Sequence, residues 1–378
     1  MAGTLPQDHP LQSVLLADGT ADPATDPGLG EPQLLRLYEG MVRIRVVDTK
    51  MLTLQRQGRI AFYGTATGEE AAIIGSAAAI GRDDWVFPAL RDAGAMLARG
   101  WSLEQFCHQM WGTAEDPQKG RMQPCHPSDR GVNQVSWSSC IATQLPHAVG
   151  WAMAARLRRD PRIALAYVGE GGTSEGDFHV AMNFAGVYQA PVVVVIQNNQ
   201  WAISVPASSQ TASGSFAVKG AAYGVPWARV DGNDVLAMVS ATTAAVERAR
   251  RGGGPTLIEA LTYRIGSHST SDDAVRYRPA EELAHWTAMD PIERFRRHLQ
   301  GRGLWDGAAE TGLRSRLEGE LAKAIEVAER TPKPAVTTLF SDVYAQQPWN
   351  LKESQTGLLA ELREGADSGE LTKQHTFP

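Results

Sequence analysis

The scarcities in this chain narrow it first. Its 378 residues include three cysteines, Cys107, Cys125 and Cys140. They show neither C-x-x-C spacing nor the even count of a disulfide framework, which excludes a disulfide-built secreted domain and points to a reducing compartment. No lysine or arginine precedes Arg36. A secretory leader needs a positive start and a mitochondrial transit peptide is rich in arginine, so neither is expected and a cytoplasmic location is. The longest purely aliphatic run, Val192 to Ile196, falls far short of the ~20 residues that span a bilayer. A net charge of -6 with scattered basic residues offers no cationic field to nucleic acid or anionic lipid. Internal repeats and low-complexity segments are missing too.

What is present is globular composition, 43% hydrophobic and 21% charged, enough for one large domain or two modest ones. Residues 1–30, rich in Asp, Pro, Gly and Thr without helical period, read as an extended or mobile arm. From Glu31 to about Gln57 the apolar residues Leu34, Leu37, Tyr38, Met41, Ile44, Val47 and Met51 recur at threes and fours, the period of an amphipathic helix. A small-residue helix follows in GTATGEEAAIIGSAAAIG. The middle then alternates. RIALAYV (162–168), PVVVVIQ (191–197) and PTLIEALTYRI (255–265) read as buried strands, separated by the helical SEGDFHVAMNFAGVYQ and VLAMVSATTAAVERARR. This alternation predicts an α/β fold, a doubly wound parallel sheet with helices on both faces, whose ligands sit at the carboxyl ends of the strands. Charged helical patterns run from Pro279 to about Arg330, making 31–330 one domain. Residues 331–378, with prolines and apolar side chains, read as a strap over a partner.

The stretch VGEGGTSEGDF (168–178) follows the first of these strands and contains a contradiction. A glycine-rich strand-to-helix turn is an anion site, yet Glu170 stands inside it. A carboxylate about 4 Å from a phosphate oxygen costs on the order of 4 kcal/mol at an effective dielectric of roughly 20. The repulsion becomes attraction once a divalent cation lies between them, and Mg²⁺ takes one or two protein oxygens plus phosphates and water. Glu170 therefore predicts a metal-bridged diphosphate. A second ligand is available at the next strand end, where Asn198 and Asn199 carry neutral oxygens and the Trp201 carbonyl can point back. Ser174 with Asp177 three residues on reads as a helix N-cap and its reciprocal acid. His268, on a polar loop past the third strand, is the acid-base candidate, because an imidazole near its unperturbed pKa moves protons at neutral pH. Asp272 and Asp273 read as turn caps, Arg264 and Tyr277 as loop anchors, and His126, His147 and His179 as packing or capping groups.

GEGGTSEGD followed by QNNQWAIS resembles the thiamine-diphosphate motif as it occurs in alpha subunits of branched-chain 2-oxo acid dehydrogenases. RQGRIAFYGTATGEE, SSCIATQLPHAVG, YGVPWARVDGNDVLA, GPTLIEALTYRIGSHSTSDDAVRYR and LFSDVY resemble the same family, over roughly residues 31 to 345. The resemblance implies Mg²⁺ held by Glu170, Asn199 and the Trp201 carbonyl. It implies thiamine diphosphate closed on by Gly169, Gly171 and Gly172, paired by Arg91, touched by Ser139 and Ile141, and flanked by His268 as catalytic residue. Ser138, Cys140, Thr143 and Gln144 match a K⁺ loop, although SSCIATQ reads equally as a helix start with serine caps. Two residues depart from the family pattern, Leu90 where a tyrosine is usual and Gln197 where arginine is frequent, and both put cofactor affinity in question. The implied activity is oxidative decarboxylation of branched-chain 2-oxo acids with reductive acylation of a lipoyl domain. A beta subunit, in an α2β2 heterotetramer, would supply the second half of the cofactor site. A pyruvate or acetoin dehydrogenase alpha subunit, or a non-catalytic interaction relative, are the alternatives.

Overall fold

The computed structural model describes residues 10–341 and 343–367. In chain order the elements are β1 (Leu11–Gln12), α1 (Glu31–Arg56), α2 (Glu70–Ala78), β2 (Trp85–Phe87), α3 (Ala93–Ala98), α4 (Leu103–Trp111), α5 (Gln144–Leu157) and β3 (Ala164–Gly169). They continue with α6 (Gly176–Tyr188), β4 (Val192–Asn198), β5 (Trp201–Ala202), β6 (Val205–Pro206), β7 (Trp227–Asp231), α7 (Val235–Arg250) and β8 (Thr256–Leu261). Last come α8 (Ala280–Ala288), α9 (Pro291–Gly301), α10 (Gly307–Arg330), α11 (Thr338–Ser341) and α12 (Trp349–Asp367).

Six strands form one sheet in the order β1-β7-β8-β4-β3-β2, and every pairing in it is parallel. The strand side chains alternate between two apolar cores. Leu165, Tyr167, Val193, Val195 and Ile258 join the core built with α1, α2 and α7. Ala164, Ala166, Val168, Val194, Ile196 and Leu257 join the one built with α5 and α6. Helices thus cover both faces, which is why the central strands read as continuous apolar runs rather than alternating ones. Tyr167 lies opposite Val195 and Gly169 opposite Gln197, so Glu170 and Asn199 leave adjacent strand ends. Among the described residues no helix is long and apolar enough to cross a membrane.

The described part of the N-terminal arm is packed. Leu11 and Gln12 pair with Arg229 and Val230, and Val14 and Leu15 are buried. Asp234 explains the docking: Oδ2 accepts from the Val14 and Leu15 amides at 2.7 and 2.6 Å, while Oδ1 caps α7 at Leu236 and Ala237. The Ser174 cap is corrected. Residues Glu170–Ser174 form a 3-10 turn, α6 starts at Gly176 without a side-chain cap, and Ser174 Oγ donates instead to Gln210. Residues 331–367 include α11 and the long helix α12, with Leu339, Val343, Tyr344 and Trp349 exposed. Residues 1–9 of the arm and 368–378 of the strap lie outside the described residues.

Candidate active site

Strand ends β3 and β4 converge on two buried carboxylates. Glu170 is 1% exposed. Its Oε2 accepts from the Asn199 amide at 3.3 Å, and its Oε1 has no protein partner. Burial pushes its pKa up to about 7, against Arg264 and Arg91, which pull it down. Glu69, fully buried just before α2, likewise leaves Oε2 without a partner. Burial pushes its pKa up to about 8, with Arg91 opposing and Asp92 and Glu170 adding to the rise. Two buried acids with orphaned oxygens are costly unless a cation compensates them, so the donor set fits a divalent ion. No cluster of three or more His, Cys, Asp or Glu able to hold a metal occurs among the described residues. An ion taking one carboxylate and neutral oxygens would leave positions for phosphate.

The neighbouring oxygens are ordered. Asn198 faces the sheet and donates to Glu259 at 2.7 Å, whereas Asn199 turns to Glu170 and Glu69. The Trp201 carbonyl accepts from Arg264 Nη1 at 3.0 Å and keeps a second lone pair. Arg264, fully buried, also holds Ile203 and Tyr277, the anchoring expected of it. The three glycines separate by role. A Cβ on Gly171 would lie 2.5 Å from Ala202 and one on Gly172 2.6 Å from Val168, so protein packing requires both, while Gly169 faces open space.

Arg91 is held on three sides. Its Nε lies 3.3 Å from Glu69 Oε1, Nη1 donates to the Thr65 carbonyl, and Nη2 donates to the His268 carbonyl at 2.9 Å. Nη2 also lies 3.3 Å from His268 Nδ1; a guanidinium only donates, so Nδ1 accepts and the imidazole proton sits on Nε2. The expectation of an ordinary imidazole is corrected. Burial, then Arg91 and Arg264, push the His268 pKa down to about 4, so the ring is neutral at pH 7. Asp272 accepts from the His268 amide at 2.7 Å and from the Tyr277 hydroxyl at 2.6 Å, and Asp273 caps the turn at Val275.

The SSCIATQ loop lies next to this site. Ser139 Oγ is 3.0 Å from His126 Nε2, and His126 Nδ1 is 3.0 Å from the Pro124 carbonyl. Ile141 is exposed. Ser138 Oγ accepts from the Cys140 amide, and Thr143 Oγ1 donates to the Cys140 carbonyl at 2.6 Å. Gln144 donates to the Tyr167 carbonyl and leaves its buried Oε1 without a partner. His126, Trp137, Ser139 and Gln144 line a cleft of about 420 Å³. Leu90 brings no hydroxyl and packs over Gly64; Gln197 is buried and donates to Asp92. Sequence reasoning missed Glu69 and Asp92, whose only signal was an acid placed beside each motif.

A family model, the dehydrogenase E1 component, matches residues 38–337. The 2-oxoisovalerate dehydrogenase subunit alpha 2, mitochondrial, of Arabidopsis thaliana is 47% identical over 86% of this chain and 70% of its own length. The alpha subunit of Bos taurus is 43% identical over 90% of this chain and 75% of its own, and that of Caenorhabditis elegans 40% over 94% and 83%. These relatives are all named mitochondrial, which overturns the cytoplasmic expectation: a lack of basic residues before Arg36 does not decide the compartment. The chain belongs to the dehydrogenase E1 component family, among the alpha subunits of branched-chain 2-oxo acid dehydrogenases.

Proposed function

We propose that the chain is the alpha subunit of an oxidoreductase that decarboxylates branched-chain 2-oxo acids, 3-methyl-2-oxobutanoate and its relatives, with thiamine diphosphate. The observation that carries this reading is the orphaned, buried Glu170 Oε1 at the end of β3, in a chain 40% to 47% identical to alpha subunits named for 2-oxoisovalerate. Glu170, the Asn199 oxygen and the Trp201 carbonyl would hold Mg²⁺. The open backbone at Gly169 and the donors of Arg91 would receive the diphosphate, with Gly171 and Gly172 letting the turn close, and Ser139 and Ile141 flanking the cofactor. Thiamine diphosphate, when bound, supplies the electron sink for loss of CO₂.

His268 is the catalytic residue of this reading. Neutral, with its proton on Nε2, it is suited to donate a hydrogen bond to a developing negative charge. A K⁺ ion held by Ser138, the Cys140 carbonyl, Thr143 and Gln144 would satisfy the orphaned Gln144 Oε1. The partners of this reading are a beta subunit, in an α2β2 heterotetramer, and the lipoyl domain of an acyltransferase that accepts the acyl group. The test is turnover by the chain co-expressed with its beta subunit, with a lipoyl domain as acceptor: acyl-lipoyl formation is followed on 3-methyl-2-oxobutanoate, pyruvate and acetoin in parallel, with CO₂ release as a second readout for the two oxo acids, since acetoin has no carboxylate to lose. The branched substrate is expected to give the highest kcat/KM; preference for pyruvate or acetoin overturns the substrate assignment, and no turnover of any of them overturns the enzymatic one.

A further inference from the structure

Glu69 lies beneath the groups that receive the cofactor and touches two of them with one oxygen. Its Oε1 accepts from Asn199 Nδ2 at 3.0 Å and pairs with Arg91 Nε at 3.3 Å. A local structural role does not account for it. Glu69 makes no side-chain cap to α2, and the adjacent Gly68 amide is taken by Glu70 instead, at 2.8 Å. The backbone there is fixed by contact: Gly68 has φ +100°, and a Cβ on it would lie 2.1 Å from the Tyr263 carbonyl. The turn therefore delivers the Glu69 carboxylate into the site with nothing else to bond.

A primary amide has an oxygen and an NH₂ of nearly equal size, and only its hydrogen-bond partners decide which faces a cation. With its Nδ2 donating to Glu69, the Asn199 amide accepts from the Trp201 amide on Oδ1 at 3.3 Å and keeps a second Oδ1 lone pair for the metal. The same Glu69 oxygen, placed on Nε of a guanidinium, fixes the plane of its two terminal nitrogens. We propose that Glu69 is a positioning residue for the cofactor site: it orients the Asn199 amide oxygen toward the Mg²⁺ position and fixes the Arg91 guanidinium for the diphosphate. The inference rests on the thiamine diphosphate reading of the site.

The test uses the co-expressed complex, titrated with Mg²⁺ and with thiamine diphosphate while thermal stabilisation and tryptophan fluorescence are followed. Loss of a group that orients a metal ligand typically weakens metal affinity about 10- to 100-fold. That loss is expected in Glu69→Met for Mg²⁺ and cofactor, because methionine fills the space with no comparable acceptor, whereas Glu69→Gln keeps an amide oxygen for the same contacts and is expected to lose less; in both, kcat at saturation falls less than the affinities. The double variant Glu69→Gln/Asn199→Asp reverses donor and acceptor across the same contact and is expected to recover part of the Mg²⁺ affinity. Where Glu69→Met fails to assemble, Glu69→Asp, which keeps the carboxyl group but withdraws it by one methylene, is expected to show the same loss. A parent complex that responds to Mg²⁺ and cofactor, with Glu69→Met and Glu69→Asp matching it, overturns this inference alone; a parent that does not respond overturns the cofactor reading together with it.

Discussion

Glu170 and His268 show how a residue's chemistry depends on what the fold brings to it. The carboxylate in the glycine turn was legible because it is wrong for an anion site without a metal. In the proposed site its replacement by glutamine would remove the one anionic metal ligand, so Glu170→Gln is expected to abolish most Mg²⁺-dependent stabilisation by thiamine diphosphate in a thermal-shift titration. His268 was legible as a candidate but not in its protonation, because Arg91 arrives from 177 positions away in the chain. With the pKa pushed below its ordinary 6.5 to about 4, the unfolded state binds more protons between those values. His268 thus stabilises the cofactor-free fold above pH 6.5, and that contribution is lost as pH falls toward 4. Histidine NMR of the cofactor-free complex should place its titration well below that of exposed histidines, and bound diphosphate, being anionic, should move it up. His268→Ala is expected to lower kcat by about 10² to 10⁴ with little change in cofactor affinity; near-normal kcat would remove it from the mechanism.

Among the elements, the long helix α1 was readable from its apolar recurrence at threes and fours, and strands β3, β4 and β8 because burial on two faces writes itself as predominantly apolar sequence. The edges were not. Strand β2 has three residues and β1 two, too few to carry a period, and β7 mixes Trp, Arg and Asp because its faces are only partly covered. The arm's docking depends on Asp234, a buried carboxylate that serves the arm and α7 from its two oxygens, a double use that no local pattern announces. Asp234→Ala removes a helix cap, worth about 1 kcal/mol, and charge-assisted bonds to two buried amides, worth about 1.5–3 kcal/mol each to remove. The variant is expected to melt several degrees lower and to be cut by protease within residues 10–22. An arm as protected as the parent's would show that Arg294, which holds the Leu15 and Leu16 carbonyls, suffices without Asp234.

At the scale of the molecule, the proposed reading gives this chain one half of a shared site. The cleft beside Ser139 is shallow in content, about 420 Å³, while a larger cavity of about 820 Å³ lies elsewhere, among α1, α2, α4, α7 and α10. On the proposed reading, a second chain would complete the wall on the side where this cleft stays small. The surface carries apolar groups to match: Val180, Phe184, Val187 and Tyr188 are exposed along α6, and Leu157 ends α5 exposed. Exposed apolar area of this kind marks an interaction surface, and obligate interfaces bury 2,000 Å² or more. The chain expressed by itself should therefore self-associate or aggregate and release no CO₂ from 3-methyl-2-oxobutanoate, even with saturating thiamine diphosphate and Mg²⁺. Co-expression with the beta subunit should restore both a defined assembly, measured by size-exclusion chromatography with light scattering, and turnover. A monodisperse, active product from this chain alone would mean that its strand ends make a complete site, and the two-subunit reading would have to be given up.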